Sequence, residues 1–208
     1  MKVLANDGVS KSGIDSLEKA GFEVITTTVA QEQLIEYINN HQIDVILVRS
    51  ATKVRKDIID SCPSIKIIGR GGVGMDNIDV DYARSKDIKV INTPAASSAS
   101  VAELVFAHLF GGVRFLYDSN RNMPLDGDSK FKELKKNYGG GRELRGKTLG
   151  IVGLGRIGQE VAKIGIGCGM KVIASDKFME TTTISVAFYD KQKLDFKIQT
   201  IPFEQLLK

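Results

Sequence analysis

The chain has 208 residues, 42% of them hydrophobic and 26% charged, a balance that excludes a disordered polymer and leaves room for two small domains. Its net charge of +4, from 29 basic and 25 acidic residues, is too small to imply a nucleic-acid partner and is compatible with small anionic ligands. Cys62 and Cys168 stand far apart and outside any C-x-x-C pair, so neither a disulfide framework nor a metal site is signalled, and both read as reduced, buried thiols.

In chain order, the first half alternates between two textures. "KVLAND" (2–7) reads as a strand and "KSGIDSLEKAG" as an amphipathic helix closed by Gly21. "FEVIT" is a strand, and "QEQLIEYINNH" is a helix with Leu34, Ile35 and Ile38 on one face. "DVILVR" (44–49), "IKIIGR" (65–70) and "IKVINT" (88–93) are strands, separated by the helices "RKDIIDSCP" and "NIDVDYARSKD". Short apolar strands alternating with helices of about ten residues predict a parallel sheet covered on both faces.

A helix over 99–117 follows, capped by Ser97 or Ser98, with a kink expected at Gly111-Gly112. "RNMPLDGDSKFKELKKNYGGGRELRGK" is polar and glycine-rich and reads as a surface segment with one short helix. Its basic stretch, 130–147, reads first as a solvated face and second as a lure for an anion. A strand (148–152), a glycine turn, a helix (156–167) and a strand (171–176) then make one βαβ unit. "ISVAFYDKQKLDFKIQTIPF" reads as a β-hairpin over 184–201 with its turn at Lys191 to Lys193, and "PFEQLLK" opens a helix. The N-terminus carries no secretion signal, and the longest apolar run is interrupted by Glu103, His108 and Arg114. No membrane partner and a cytoplasmic location are therefore expected.

The βαβ unit carries G-x-G-x-x-G at Gly153, Gly155 and Gly158, with Asp176 18 residues after the last of them. Gly153 permits a tight turn, Gly155 leaves space for a pyrophosphate against the backbone, and Gly158 lets helix and strand approach. The N–H groups that open the helix at Arg156 and Ile157 would face the phosphates along the helix dipole. Asp176 would accept from the adenosine ribose and repel a 2′-phosphate, so the cofactor expected is NAD rather than NADP, a preference that Lys177 blurs. The glycines alone would also describe a ligand-free turn; strand, helix and acid in the right order favour the cofactor.

Three stretches, "GRGGVGMDNID" (69–79), "INTPAASSASVAEL" (91–104) and "LRGKTLGIVGLGRIGQEVA" (144–162), make the chain resemble the D-2-hydroxyacid dehydrogenase family. Within it, "LVRSATKV" (47–54) is most similar to the members that oxidise 3-phosphoglycerate, the first step of serine synthesis. The resemblance implies an α/β protein: a flavodoxin-like parallel-sheet substrate lobe at 1–95, then an incomplete Rossmann NAD-binding lobe at 96–208. It implies that Gly72, Val73 and Gly74 offer amides to the substrate carboxylate, that Val73 also approaches the cofactor, and that Arg49 contacts the substrate's phosphate or carboxylate. A structural turn and a solvated arginine are the respective alternatives. It implies a homodimer, and a small-molecule 2-hydroxy acid, phosphorylated, as the partner. "SSAS" (97–100) departs from members that carry asparagine there.

No metal ligand and no catalytic residue is identified. Family members use Arg, Glu and His from motifs expected beyond residue 208. His41 reads as a surface cap and His108 as a packed interdomain or interface histidine; neither has an orienting partner in sequence. The competing readings are a non-catalytic NAD(H)-sensing protein of corepressor type and a dehydrogenase for another D-2-hydroxy acid.

Overall fold

Strands of only three or four residues, each holding at least two Val, Ile or Leu, build the first sheet. The computed structural model describes all 208 residues and divides into two compact units, Met1–Ser97 and Ser98–Lys208. In the first, β1 (Lys2–Ala5) is followed by α1 (Lys11–Lys19), β2 (Glu23–Ile25), a 3-10 turn (Gln31–Gln33), α2 (Leu34–His41), β3 (Val45–Val48), α3 (Lys56–Ser61), β4 (Ile67–Arg70), α4 (Val80–Ser85) and β5 (Lys89–Asn92). All five strands run parallel in the order β2-β1-β3-β4-β5, the flavodoxin-like order. Leu4, Ile46 and Ile68 on the central strands and Leu34, Ile38 and Ile58 on the helices are fully buried in one core. Ser10 opens α1 by accepting from the Gly13 N–H at 3.3 Å.

The second unit begins with α5 (Ser98–Val113), α6 (Leu116–Asp126) and α7 (Phe131–Tyr138). The long helix expected over 99–117 is therefore two helices, bent by 56°. The break is not at Gly111-Gly112 but at Phe115, which takes φ 55°. The Val113 carbonyl accepts from the Arg142 N–H at 2.9 Å, which diverts the acceptor that would have continued the helix. α6 runs through Pro124, so the segment expected to hold one short helix contributes to two.

β6 (Thr148–Val152), α8 (Arg156–Gly167) and β7 (Lys171–Ser175) form the βαβ unit, with β6 and β7 parallel from Thr148↔Lys171 to Val152↔Ser175. β8 (Thr181–Ala187) and β9 (Lys193–Gln199) form an antiparallel hairpin, and α9 (Phe203–Leu206) closes the chain's ordered elements. The hairpin starts earlier than the expected 184–201, and its connection is 188–192, where the Phe188 N–H donates to the Gln192 carbonyl at 2.9 Å. Its neck is pinned: the Thr200 N–H donates to the Glu180 carbonyl at 3.0 Å, Thr200 Oγ1 to the Met179 carbonyl at 2.7 Å, and the Ile201 N–H to the Ala174 carbonyl at 2.8 Å. Ile184 and Ile198 tuck its base into a second core with Phe106, Ile151, Leu154 and Val161. Cys62 is buried as expected, whereas Cys168 is half-exposed at the end of α8.

Ile68 sits at the centre of the first core with no exposure, so Ile68→Ala is expected to lower stability by about 2–5 kcal/mol in urea unfolding. Leu125→Ala, on a side chain 79% exposed, is expected to change it by no more than about 0.5 kcal/mol.

Candidate functional site

The glycine turn of the second unit is built by backbone approach. Gly153 leaves β6 at φ +91°, a conformation that side chains rarely adopt, and its N–H donates to the Ser175 carbonyl at 2.8 Å. A Cβ at Gly158 would stand 2.1 Å from the Gly153 carbonyl oxygen, so α8 reaches the turn only because residue 158 has none. A Cβ at Gly155 would meet nothing within 4 Å: the space beside that residue is open. Gly155 is the N-cap of α8 and brings no side-chain cap. The N–H groups of the first helical turn, at Arg156 and Ile157, are thus left for an outside acceptor, which suits a diphosphate.

Asp176 follows β7 and belongs to the same turn. Its Oδ2 accepts from the Leu154 N–H at 2.6 Å, and its Oδ1 from the N–H groups of Phe178 at 2.8 Å and Met179 at 3.0 Å. Hydrogen bonds from Phe178, then Leu154, hold the carboxyl below its ordinary value. A cavity of about 690 Å³ opens between Gly153, Asp176 and Lys177 on one side and Phe178, Pro202 and Phe203 on the other. Open space at Gly155, an ionised acid and apolar walls for a flat base are the requirements of a dinucleotide. All the residues expected at the cofactor site in this unit, Gly153, Gly155, Arg156, Ile157, Gly158 and Asp176, are brought together around one turn.

The first unit has its own site at the C-terminal edge of the sheet. β3 and β4 are neighbours with Val48 opposite Arg70, so Arg49 and Arg70 leave adjacent strands and line one cavity of about 380 Å³. No acidic side chain pairs with Arg49. Arg70 is mostly buried; its guanidinium donates to the Gly74 carbonyl and lies 3.9 Å from Asp76, while its Nε has no partner. An unpaired buried donor is costly unless a ligand or water meets it.

The expected amide donors divide. The Gly72 N–H donates to the Arg70 carbonyl at 2.9 Å, and a Cβ at residue 72 would lie 2.5 Å from an Arg70 nitrogen. Val73 is 43% exposed, and the Asn92 amide holds its carbonyl at 2.7 Å. Residues 72–74 stand beside the cavity rather than in its lining, which includes Arg70, Gly71, Asn92 and Thr93. Arg70 was missed by sequence reasoning although it stands inside "GRGGVGMDNID"; its place at a strand end beside a glycine turn was the available signal.

The sequence matches the description "D-isomer specific 2-hydroxyacid dehydrogenase, catalytic domain" over residues 3–195. The chain belongs to that family. It is 41% identical over 194 residues to a hydroxypyruvate reductase of Thermotoga maritima, covering 93% of this chain and 61% of that protein. It is 41% identical over 179 residues to a D-3-phosphoglycerate dehydrogenase of Methanocaldococcus jannaschii, covering 86% of this chain and 33% of that protein. Among solved structures, the NAD+-bound 3-phosphoglycerate dehydrogenase of Entamoeba histolytica superposes with a TM-score of 0.64 at 35% identity, over 86% of this chain and 55% of that one. The chain thus spans between a third and three fifths of the length of the relatives it matches.

A dehydrogenase of this family needs a base for the hydroxyl proton. His41 is exposed, stacks on Tyr37 with centroids 4.0 Å apart, and has Nδ1 against the Tyr37 carbonyl at 2.9 Å. His108, read as a packed interdomain or interface histidine, is exposed in the single chain on α5 beside Gly111, Gly112 and Tyr117. Neither has a carboxylate partner to orient it. Burial pushes the Cys62 thiol up to about 11, helped by the negative charge of Asp57, so it is no nucleophile at neutral pH.

The depressed Asp176 value sets a sign: its hydrogen bonds are in place above the ordinary carboxylate value of 3.8 and are lost as pH falls through the lower, folded one. NMR titration of the Leu154 and Phe178 amides is expected to show a midpoint below that value. Gly158→Ala forces a backbone clash and is expected to destabilise the second unit by about 3 kcal/mol, read by thermal unfolding.

Proposed function

We propose that the chain carries the substrate and cofactor sites of an NAD-dependent dehydrogenase that oxidises 3-phosphoglycerate to 3-phosphohydroxypyruvate. The observation that carries this reading is that Arg49 and Arg70 line one cavity, Arg49 without an acidic partner and Arg70 with only the exposed Asp76 at 3.9 Å. A guanidinium fork matches two oxygens of a carboxylate or phosphate, and two guanidiniums suit a dianion better than a plain acid. The Val73 and Gly74 amides stand beside them for the substrate carboxylate.

In the second unit, the amides at Arg156 and Ile157 hold the diphosphate, and Asp176 takes the adenosine ribose. Its two oxygens already accept three backbone N–H groups, which fixes the carboxylate against the loop and keeps it ionised. A fixed negative charge disfavours a ribose phosphate, which supports NAD over NADP. Phe178 and Pro202 shield the base from water. The chemistry that NAD supplies when bound is acceptance of a hydride from the carbon bearing the hydroxyl. Neither histidine present is oriented as the base for the hydroxyl proton, and the relatives matched are longer than this chain. Assembly as a homodimer and residence in the cytoplasm remain part of this proposal.

A second reading is favoured by the Thermotoga maritima relative: the substrate is an unphosphorylated acid of the glycerate and hydroxypyruvate pair. Calorimetry separates the two. The chain is expected to bind NAD with heat and to lose at least about tenfold in affinity in Asp176→Ala. It is expected to bind 3-phosphoglycerate better than D-glycerate, a difference that Arg49→Ala removes. Equal affinity for the two acids in the parent chain selects the second reading, and no heat with NAD rejects both.

A further inference from the structure

The turn that carries Arg49 is held by its backbone. Asp7 Oδ2 accepts from the N–H groups of both Arg49, at 2.6 Å, and Thr52, at 3.1 Å. Asn77 Nδ2 donates to the carbonyls of the same two residues, at 2.8 and 2.7 Å. All four main-chain polar groups of the residues that bracket the turn are therefore taken by two side chains, one following β1 and one preceding α4. The Thr52 hydroxyl donates to Asp7 Oδ1 and accepts from Asn6 Nδ2 at 2.8 Å. Asn6 in turn holds both polar groups of Val29, at 3.1 and 2.8 Å.

None of Asn6, Asp7, Thr52 or Asn77 lines the cavity into which Arg49 opens. Asn6, Thr52 and Asn77 are buried, and Asn77 Oδ1 has no partner at all. Burying polar side chains, one of them with an unmet acceptor, is a poor way to gain stability alone; an apolar plug would serve better. What this network yields is a fixed main-chain path from 49 to 52. The arrangement also leaves the arginine its charge. Asp7 is the acid nearest in this turn, yet its two oxygens are occupied by amides and a hydroxyl, and it forms no ion pair with Arg49.

We propose that Asp7 and Asn77 are positioning residues that lock the 49–52 turn, so that the Arg49 guanidinium meets an anionic ligand without first ordering its own backbone. The proposal rests on the reading of the 380 Å³ cavity as an anion site. Asp7 acts through Arg49 and touches no ligand. Burial works to raise its pKa, but the Thr52 hydroxyl and the amides of Arg49 and Thr52 outweigh it and hold the carboxyl below its ordinary value. The acceptor is therefore ionised at neutral pH.

The test uses the full 208-residue chain with 3-phosphoglycerate as the probe. Asp7→Asn puts an amide donor among donors, and Thr52→Val removes the hydroxyl at constant shape. Each is expected to weaken binding roughly tenfold through lost preorganisation, while Thr52→Ser stays within about twofold because the hydroxyl is retained. In an Arg49→Ala background, Asp7→Asn is expected to cost nothing further, since both changes remove the same contribution. Losses that add in the double variant overturn the proposal, because Asp7 then acts independently of Arg49. Hydrogen exchange reads the lock without any ligand: the Arg49 and Thr52 amides are expected to exchange faster in Asp7→Asn, and unchanged rates overturn it. Should Asp7→Asn fail to fold, the contrast between Thr52→Val and Thr52→Ser makes the same decision. Should the parent chain ignore 3-phosphoglycerate, the substrate reading fails and the exchange rates alone decide the lock.

Discussion

What the second unit can bind depends on a contact that requires a missing side chain. The first turn of α8 lies against the Gly153 carbonyl so closely that any Cβ at residue 158 would overlap it. That approach sets the distance between the sheet end and the helix start, and with it the direction in which the Arg156 and Ile157 amides point. Asp176 is tied into the same geometry through Leu154. Turn, helix and acid thus form one piece, and none can shift without moving the others.

The first unit solves a related problem by different means. It also presents a site at the C-terminal edge of a parallel sheet beside a glycine turn, where the chain reverses from strand to helix. The charges there are side chains, Arg49 and Arg70, rather than the partial charges of a helix end. Side chains on a turn are only as well placed as the turn itself, and here the turn is fixed by a carboxylate and an amide from two other loops of the same unit. One unit positions its donors by close packing, the other by hydrogen bonds.

These two strategies leave different traces in a sequence. In the βαβ unit, β6 at 148–152 and α8 at 156–167 were legible to the residue, and β7 to within one, because apolar runs and glycine spacing are local signals. The five strands of the first sheet were legible for the same reason. The break between α5 and α6 was not: the glycine pair invites a bend, but the helix continues through it and ends where the Val113 carbonyl is claimed by Arg142, a contact 29 positions away in sequence. Asp7, Asn77 and Arg70 were equally hidden. Their partners are set by the sheet order, and nothing in "ANDGV" or "MDNID" says which main-chain groups they will face.

The hairpin of β8 and β9 departs at Glu180 and comes back at Thr200, where the two ends are stitched together. An excursion whose ends already touch imposes no length on what lies between them. Lineages can therefore shorten it, extend it or graft new surface onto its tip around Tyr189, which is fully exposed, and the wall of the neighbouring cavity at Ile201 to Phe203 keeps its place. This makes the tip of the excursion a natural port for evolutionary cargo, while Ile184 and Ile198 keep its base in the core.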